Sequence, residues 1–212
     1  MKEMVTETTR NADGEVMVDS RMVIRDACVG DAPFITECIL SGIGLHDFED
    51  EYSPMQRMQY DSIRPECSMD ESLYSYRFAR IAEVDGVVAG ALVSYRGELY
   101  AGLRDRTWER IDALLDEACP VSDYETGPGE YYLDTLAVHP RFRGMGLGSM
   151  LIEDAVLCAR RHGCSRATLI VEKDHPRLVA YYRRLGFVPE SELSFLGEDY
   201  YKCVQNLTIF AA

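Results

Sequence analysis

The hydrophobic positions of the chain follow a strand-like period of two in some stretches and a helical period in others. Met22-Val-Ile-Arg25 is a short strand-like run. In the Gly30 to Pro33 segment that follows, Asp31 stands at a helix cap and Pro33 in the first turn, which predicts about three turns of helix through Ile39 and Ile43. Residues 46–75 lose any clear period, open on the acidic run His46 to Glu51 and contain Pro54 and Pro65. They read as loop with at most a short helix. Two apolar runs, RFARIAEV and VVAGALVSY, flank Asp85-Gly86, a strong signal for a two-residue hairpin turn. Gly90 in the second run suggests a bulge or a close backbone approach. Residues 104–118 place Trp108, Ile111, Leu114 and Leu115 at helical spacing, and Pro120 ends that helix.

From residue 130 the pattern becomes β-α-β-α. Tyr131 to Val138 is a strand run. Met145 to His162 is an amphipathic helix with Leu147, Met150, Leu151, Ala155 and Cys158 on one stripe, closed by Arg160, Arg161 and Gly163. Ala167 to Val171 is a short apolar strand, and a second helix starts at Pro176 and stops at Gly186. Phe187-Val188 and Tyr200 to Leu207 add strands. No internal repeat or low-complexity block interrupts the chain, so it reads as one α/β domain with a mixed sheet.

Composition narrows the partners. The 212 residues carry 22 Lys+Arg against 36 Asp+Glu, a formal net charge of −14. That balance argues against nucleic acid, whose capture releases phosphate counterions to a basic face, and against an anionic membrane surface. No stretch approaches the roughly 18 to 20 apolar residues of a bilayer span. Residues 1–20 lack an apolar signal core and read as a flexible polar leader to a domain over 21–212. The seven cysteines form no CxxC pair and no zinc-like spacing, which predicts a reducing cytoplasm and no metal.

The most informative residues are Arg141-Phe-Arg143-Gly144-Met145-Gly146-Leu147-Gly148-Ser149, set between a strand and a helix. Glycines there let backbone approach a ligand, while the helix dipole and its first free N–H groups favour an anion. A Walker loop would need a Lys that is not present. A dinucleotide fingerprint fails at position 149, which is Ser. The pattern (Gln/Arg)-x-x-Gly-x-(Gly/Ala) fits. Together with the strand LDTLAV, His139-Pro140, and the later VEKDHPRLVAYYRRLGF, the segment resembles the coenzyme-A-binding core of the GNAT acyltransferase superfamily. The likeness extends loosely over residues 22–207, with the cofactor core at about 130–190.

The resemblance implies an α/β (α+β) fold: a mixed, mostly antiparallel sheet of about six to seven strands flanked by helices, with two strands splayed at the acyl-CoA site. It implies acetyl transfer from acetyl-CoA to a primary amine of a small molecule or peptide, in a ternary complex. Backbone N–H groups of residues 143–148 would hold the pyrophosphate, with Arg141, Arg143 and Ser149 at the same helix end. Amides around Leu136, Ala137 and Val138 would polarise the thioester, in the manner of an oxyanion hole. Tyr182 matches the position of the family's proton-donating Tyr. The carboxylate base, when the family has one, lies on the strand that here holds Glu130 and Asp134. Alternation puts Glu130, Tyr132 and Asp134 on one face with Leu136 and Val138, so Asp134 is the first choice and Glu130 the second, with a water relay left open. Where many members have Asn, this chain has His175, which serves either as a cofactor contact or as a helix cap.

The acceptor pocket falls by the same resemblance to residues 40–75 and 96–130. The acidic run Asp47 to Glu51 either attracts a cationic amine or is a solvated loop. The helix around Trp108 either covers the acceptor or contacts a second copy in a homodimer. A non-catalytic acyl-CoA-binding module is the alternative function.

Overall fold

A computed structural model describes residues 2–4, 21–48, 50–115, 123–195 and 197–208. The expected leader lies mostly outside these residues, but Lys2–Met4 forms a short strand, β1, paired antiparallel with β2 (Met22–Asp26). The remaining strands are β3 (Ala79–Val84), β4 (Val87–Arg96), β5 (Glu130–Val138), β6 (Arg166–Glu172), β7 (Val188–Phe195) and β8 (Glu198–Asn206). They build one sheet in the order β1-β2-β3-β4-β5-β6-β8-β7. Seven strands match the expectation, and β1 is the eighth. Only β5 and β6 run parallel, as a strand–helix–strand crossover requires.

Helices α1 (Ala32–Gly42), α2 (Pro54–Ser68) and α3 (Tyr100–Leu115) cover one face. There Ile35, Ile39, Tyr60, Ile63, Tyr100 and Leu103 pack on Ile81, Val93, Tyr95 and Tyr132. Helices α4 (Leu147–Arg161) and α5 (Pro176–Arg184) cover the other, where Leu147, Leu151, Ile152, Ala155 and Val179 meet Leu92, Leu133 and Leu169.

The hairpin at Asp85-Gly86 is as expected, with positive φ at both residues, +52° and +80°, the requirement of a type I′ turn. Gly90 is the expected close approach: a Cβ there would stand 3.0 Å from the Ala137 carbonyl oxygen. The stretch 46–75 departs from expectation, because α2 has fifteen residues. Its low apolar content hides a narrow stripe, Tyr60, Ile63 and Cys67, which tertiary packing on α1 makes sufficient. Ser53 caps it reciprocally, accepting from the Gln56 amide at 3.3 Å while the Gln56 side chain accepts from the Ser53 amide at 2.9 Å. Asp31 stands at the start of α1 but does not cap it. Its carboxylate accepts instead from Arg25 and from the Cys28 amide. Helix α3 starts four residues earlier than predicted; Cys119, Pro120 and the end expected at 116–118 lie outside the described residues. No described helix is long and apolar enough to cross a membrane.

Two irregularities of β5 shape the site. Val93 pairs with Thr135 and Ser94 with Leu133, so Asp134 is an extra residue, a β-bulge against β4. On its other side β5 pairs with β6 only from Glu130↔Arg166 to Tyr132↔Thr168, after which the ladder ends and the strands splay.

Candidate functional site

Beyond the splay, β5 runs through a short 3-10 turn, Pro140–Phe142, into the glycine loop. Gly144 and Gly146 take φ of +82° and +86°, and Gly146 is the residue that starts α4. These left-handed positions turn the chain so that the first amides of α4 face an open groove; the same amides have no acceptor within their helix. Val138, Arg143, Gly146, Gly148, Ser149 and Tyr181 are among its walls, and its volume is about 320 Å³. A Cβ on Gly148 would stand 3.1 Å from the Tyr181 hydroxyl, which also lies 3.1 Å from Ser149 Oγ. Arg143 is fixed at the mouth of the groove. Its Nε donates to the Val138 carbonyl at 3.0 Å and its Nη2 to Asp47 at 3.0 Å. Free amides, a helix N-terminus and a guanidinium form a chemistry suited to a pyrophosphate. Met145 and Arg141 are exposed, while Leu147 is core and lends the loop only its backbone.

The splay holds a narrow cavity between Leu133, Leu136, Leu169, Ile170, Asp134 and Tyr182. Thus Asp134 and Tyr182, 48 residues apart in sequence, face one space. Asp134 accepts hydrogen bonds from Tyr95 and, at 2.7 Å, from Thr135. Burial raises its pKa above the usual carboxylate range, and the two hydroxyls oppose that rise. Burial likewise raises the Tyr182 phenol, whose ring packs against Tyr181 and Phe187 at 5.4 and 6.3 Å.

The bulge corrects the alternation argument. Tyr132 belongs to the α1 to α3 face, whereas Leu136 and Val138 pack on the α4 face, because the extra residue at Asp134 inverts the parity of everything after it. Glu130 is accordingly not beside Asp134 in the cavity lining. Its carboxylate accepts from Lys202 at 2.7 Å, Thr126 at 2.9 Å and the Gly127 amide at 3.3 Å, tying the loop before β5 to β8. Ala137 also points to the α1 face.

Glu125 was not singled out by any pattern. It is buried in the loop before β5, accepting from Tyr100 at 2.6 Å and from Tyr132. Its pKa is raised to about 7, first by burial and next by the negative charge of Asp134. A turn-rich ETGPGE stretch gives no periodic signal, so only the fold identifies it.

His175 precedes α5 without capping it, its Nδ1 lying 2.7 Å from Glu172. Glu172, Asp174 and His175 are the one group among the described residues with three donor atoms within 4.8 Å, on partly to fully exposed side chains. Of the acidic run, Asp47 is engaged by Arg143, and Asp50 lies with it beside an open hollow under the α1–α2 loop. Trp108 of α3 packs edge-on against Phe195 of β7 at 6.3 Å.

Comparison with known proteins agrees with this geometry. Residues 44–187 match the model of the acetyltransferase (GNAT) family. A peptidyl-lysine N-acetyltransferase, YjaB, of Salmonella typhimurium is 32% identical over 90 residues, 42% of this chain and 57% of that protein. A spermine/spermidine N(1)-acetyltransferase of Bacillus subtilis is 29% identical over 80 residues, 37% of this chain and 53% of that protein. The curated relatives are thus matched over 31% to 57% of their own length. A solved structure described as an acetyltransferase superposes with a TM-score of 0.70 at 27% identity, covering 88% of this chain and all of the other. With two thirds of its length under the family model and a glycine loop and splayed strands in the places expected, the chain belongs to the acetyltransferase (GNAT) family.

Proposed function

We propose that the chain is an N-acetyltransferase that moves an acetyl group from acetyl-CoA to a primary amine of a small molecule or peptide, by direct attack in a ternary complex. The observation that carries this reading is the cavity at the splay, where an acid–base pair, Tyr182 and Asp134, faces a single space next to an anion-binding helix end. The amides of residues 144–148, that of Arg143 being engaged by the Pro140 carbonyl at 3.2 Å, hold the pyrophosphate together with the Arg143 side chain and Ser149, and Arg141 adds a further cation at that end. The amides of Leu136 and Val138 on the β6-facing edge, free of ladder partners beyond the splay, supply donors to the thioester oxygen, whereas the backbone of Ala137 faces β4. The thioester supplies the activated acyl carbon. Asp134 takes the proton that the attacking amine must lose, its raised proton affinity suiting it to that task. Tyr182 gives its hydroxyl proton to the departing sulfur, burial keeping the phenol protonated until the thiolate forms beside it.

Glu130 serves structure in this reading, through its pair with Lys202. His175 sits near the entry to α5 as a surface contact for the cofactor. The net charge of −14 favours a cationic acceptor, in line with the polyamine and lysine named for two relatives. Cys28, Cys38, Cys67, Cys158, Cys164 and Cys203 are free, which fits a reducing cytoplasm. The test is release of free thiol from acetyl-CoA across a panel of polyamines, amino acids and lysine peptides. Amine-dependent release lost in Tyr182→Phe supports the proposal. Binding of acetyl-CoA with no release for any amine favours the sensor module instead.

A further inference from the structure

Buried carboxylates in this protein are, as a rule, neutralised by a cation. Glu66 receives Arg110 at 2.6 and 2.7 Å, Asp31 receives Arg25, Asp154 receives Arg80, and Glu130 receives Lys202. The buried Glu125 and the partly exposed Asp134 beside the tyrosines depart from it. Asp134 and Glu125 accept side-chain hydrogen bonds only from hydroxyls, of Tyr95 and Thr135 for the first and of Tyr100 and Tyr132 for the second. The three tyrosines form one cluster, with ring centroids 5.9 to 6.4 Å apart, so both acids sit in the same apolar setting. Arg104 of α3 is the cation nearest in effect to Glu125, but its guanidinium lies over Trp108 and Tyr124 and forms an ion pair with Asp105. Tyr200 of β8, whose hydroxyl donates to Glu172, is a further titratable group within reach of the Glu125 charge. Two anions in one low-dielectric cluster cannot both stay charged at little cost, and such pairs share a proton.

We propose that Glu125 is a positioning residue for Asp134, the two carboxylates acting through the tyrosine cluster as one proton-holding pair in the transfer reaction. The inference rests on Asp134 being the base. In the resting protein the pair holds one proton, and its loss to water gives the doubly ionised, reactive form. There repulsion from the charge of Glu125 raises the proton affinity of Asp134. The proton lost by the amine then passes to Asp134, which returns the pair to its singly protonated resting state. Proton count and charge balance over the cycle.

The experiment is the pH profile of amine-dependent thiol release, run for wild type, Glu125→Gln, Glu125→Asp and Asp134→Asn, with the infrared carboxyl band of the ligand-free proteins read in parallel. The expected result is a rising limb moved to lower pH in Glu125→Gln and a rate at neutral pH lower by about tenfold, within the range of a weakened general base. The KM for acetyl-CoA stays unchanged, and Glu125→Asp restores the wild-type limb. A protonated carboxyl band at neutral pH, present in wild type and absent in Glu125→Gln, is the readout independent of turnover. Should Glu125→Gln fail to fold, Tyr100→Phe moves the limb in the same direction. A limb that stays at the wild-type pH in the folded variants, or a missing band in wild type, overturns the pair. If wild type releases no thiol with any amine, or Asp134→Asn is fully active, it is the reading of Asp134 that fails.

Discussion

Tyr95 of β4 donates its phenolic hydrogen bond to Asp134 of β5 at the point where the ladder between the two strands skips a residue. The bulge frees Asp134 from pairing, and the hydroxyl fixes where its carboxylate lies. A regular strand would have committed that side chain to one sheet face; the bulge places it at the cavity of the splay.

Replacing Asp134 by Asn keeps the size of the side chain and an acceptor for Tyr95. We expect kcat/KM to fall by about 100-fold or more, the usual range for losing a general base, while acetyl-CoA binding measured by calorimetry is unchanged. Loss of binding as well would assign Asp134 to the cofactor rather than to the proton.

Tyr182→Phe removes one hydroxyl from a ring packed on Tyr181 and Phe187. The melting temperature should hold and kcat should drop by at least about tenfold. A variant as fast as wild type would leave sulfur protonation to water.

Gly146→Asp places a Cβ at φ +86° and a negative charge at the helix end. The backbone cost is about 1 kcal/mol. The Kd for acetyl-CoA should rise by more than about tenfold, because one charge near a helix N-terminus already contributes 0.3–1 kcal/mol and here two like charges meet. Calorimetry with the folded variant decides, and an unaltered Kd would remove the loop from the cofactor site.

Lys202→Met leaves the buried Glu130 without its closest cation, Arg166 at 4.0 Å being the one that remains. Breaking a buried pair in this way costs about 3–5 kcal/mol, so denaturant unfolding should shift strongly, and Lys202→Met with Glu130→Gln together should recover much of the loss. Full thiol-release activity in the stable double variant would confirm that Glu130 is not the base.

Stability should also report the acids of the cluster. Both Glu125 and Asp134 bind a proton more tightly folded than unfolded. Their contribution is therefore complete below the ordinary carboxylate pKa and is lost as pH rises through the folded value, about 7 for Glu125. In thermal melts Glu125→Gln should gain on wild type from pH 5 to pH 8. A constant difference across that window would mean that the cluster holds no proton.

The glycine loop, the crossover helix and the hairpin at Asp85-Gly86 were legible because each depends on local chemistry: positive φ, a 3.6 period, a two-residue turn. Helix α2 was not, since Tyr60, Ile63 and Cys67 carry too little apolar area to signal alone. Glu125 was hidden for another reason. Its partners Tyr100 and Tyr132 are 25 and 7 residues away, and no spacing rule connects a turn to them.

By itself the sequence determined the elements from residue 130 onward, the family resemblance, the glycine turn at a helix start and the choice of Tyr182 and Asp134 as candidates, because these follow from residue types at short spacing. The tertiary structure alone decided which acid meets which tyrosine. Parity along β5 held only as far as the bulge, and a one-residue insertion inverts every side chain beyond it. Burial did the rest. Glu130 and Asp134 are four residues apart on one strand, yet Lys202 reaches only the first, and the resulting difference in charge pairing distinguishes a structural carboxylate from one free to carry a proton.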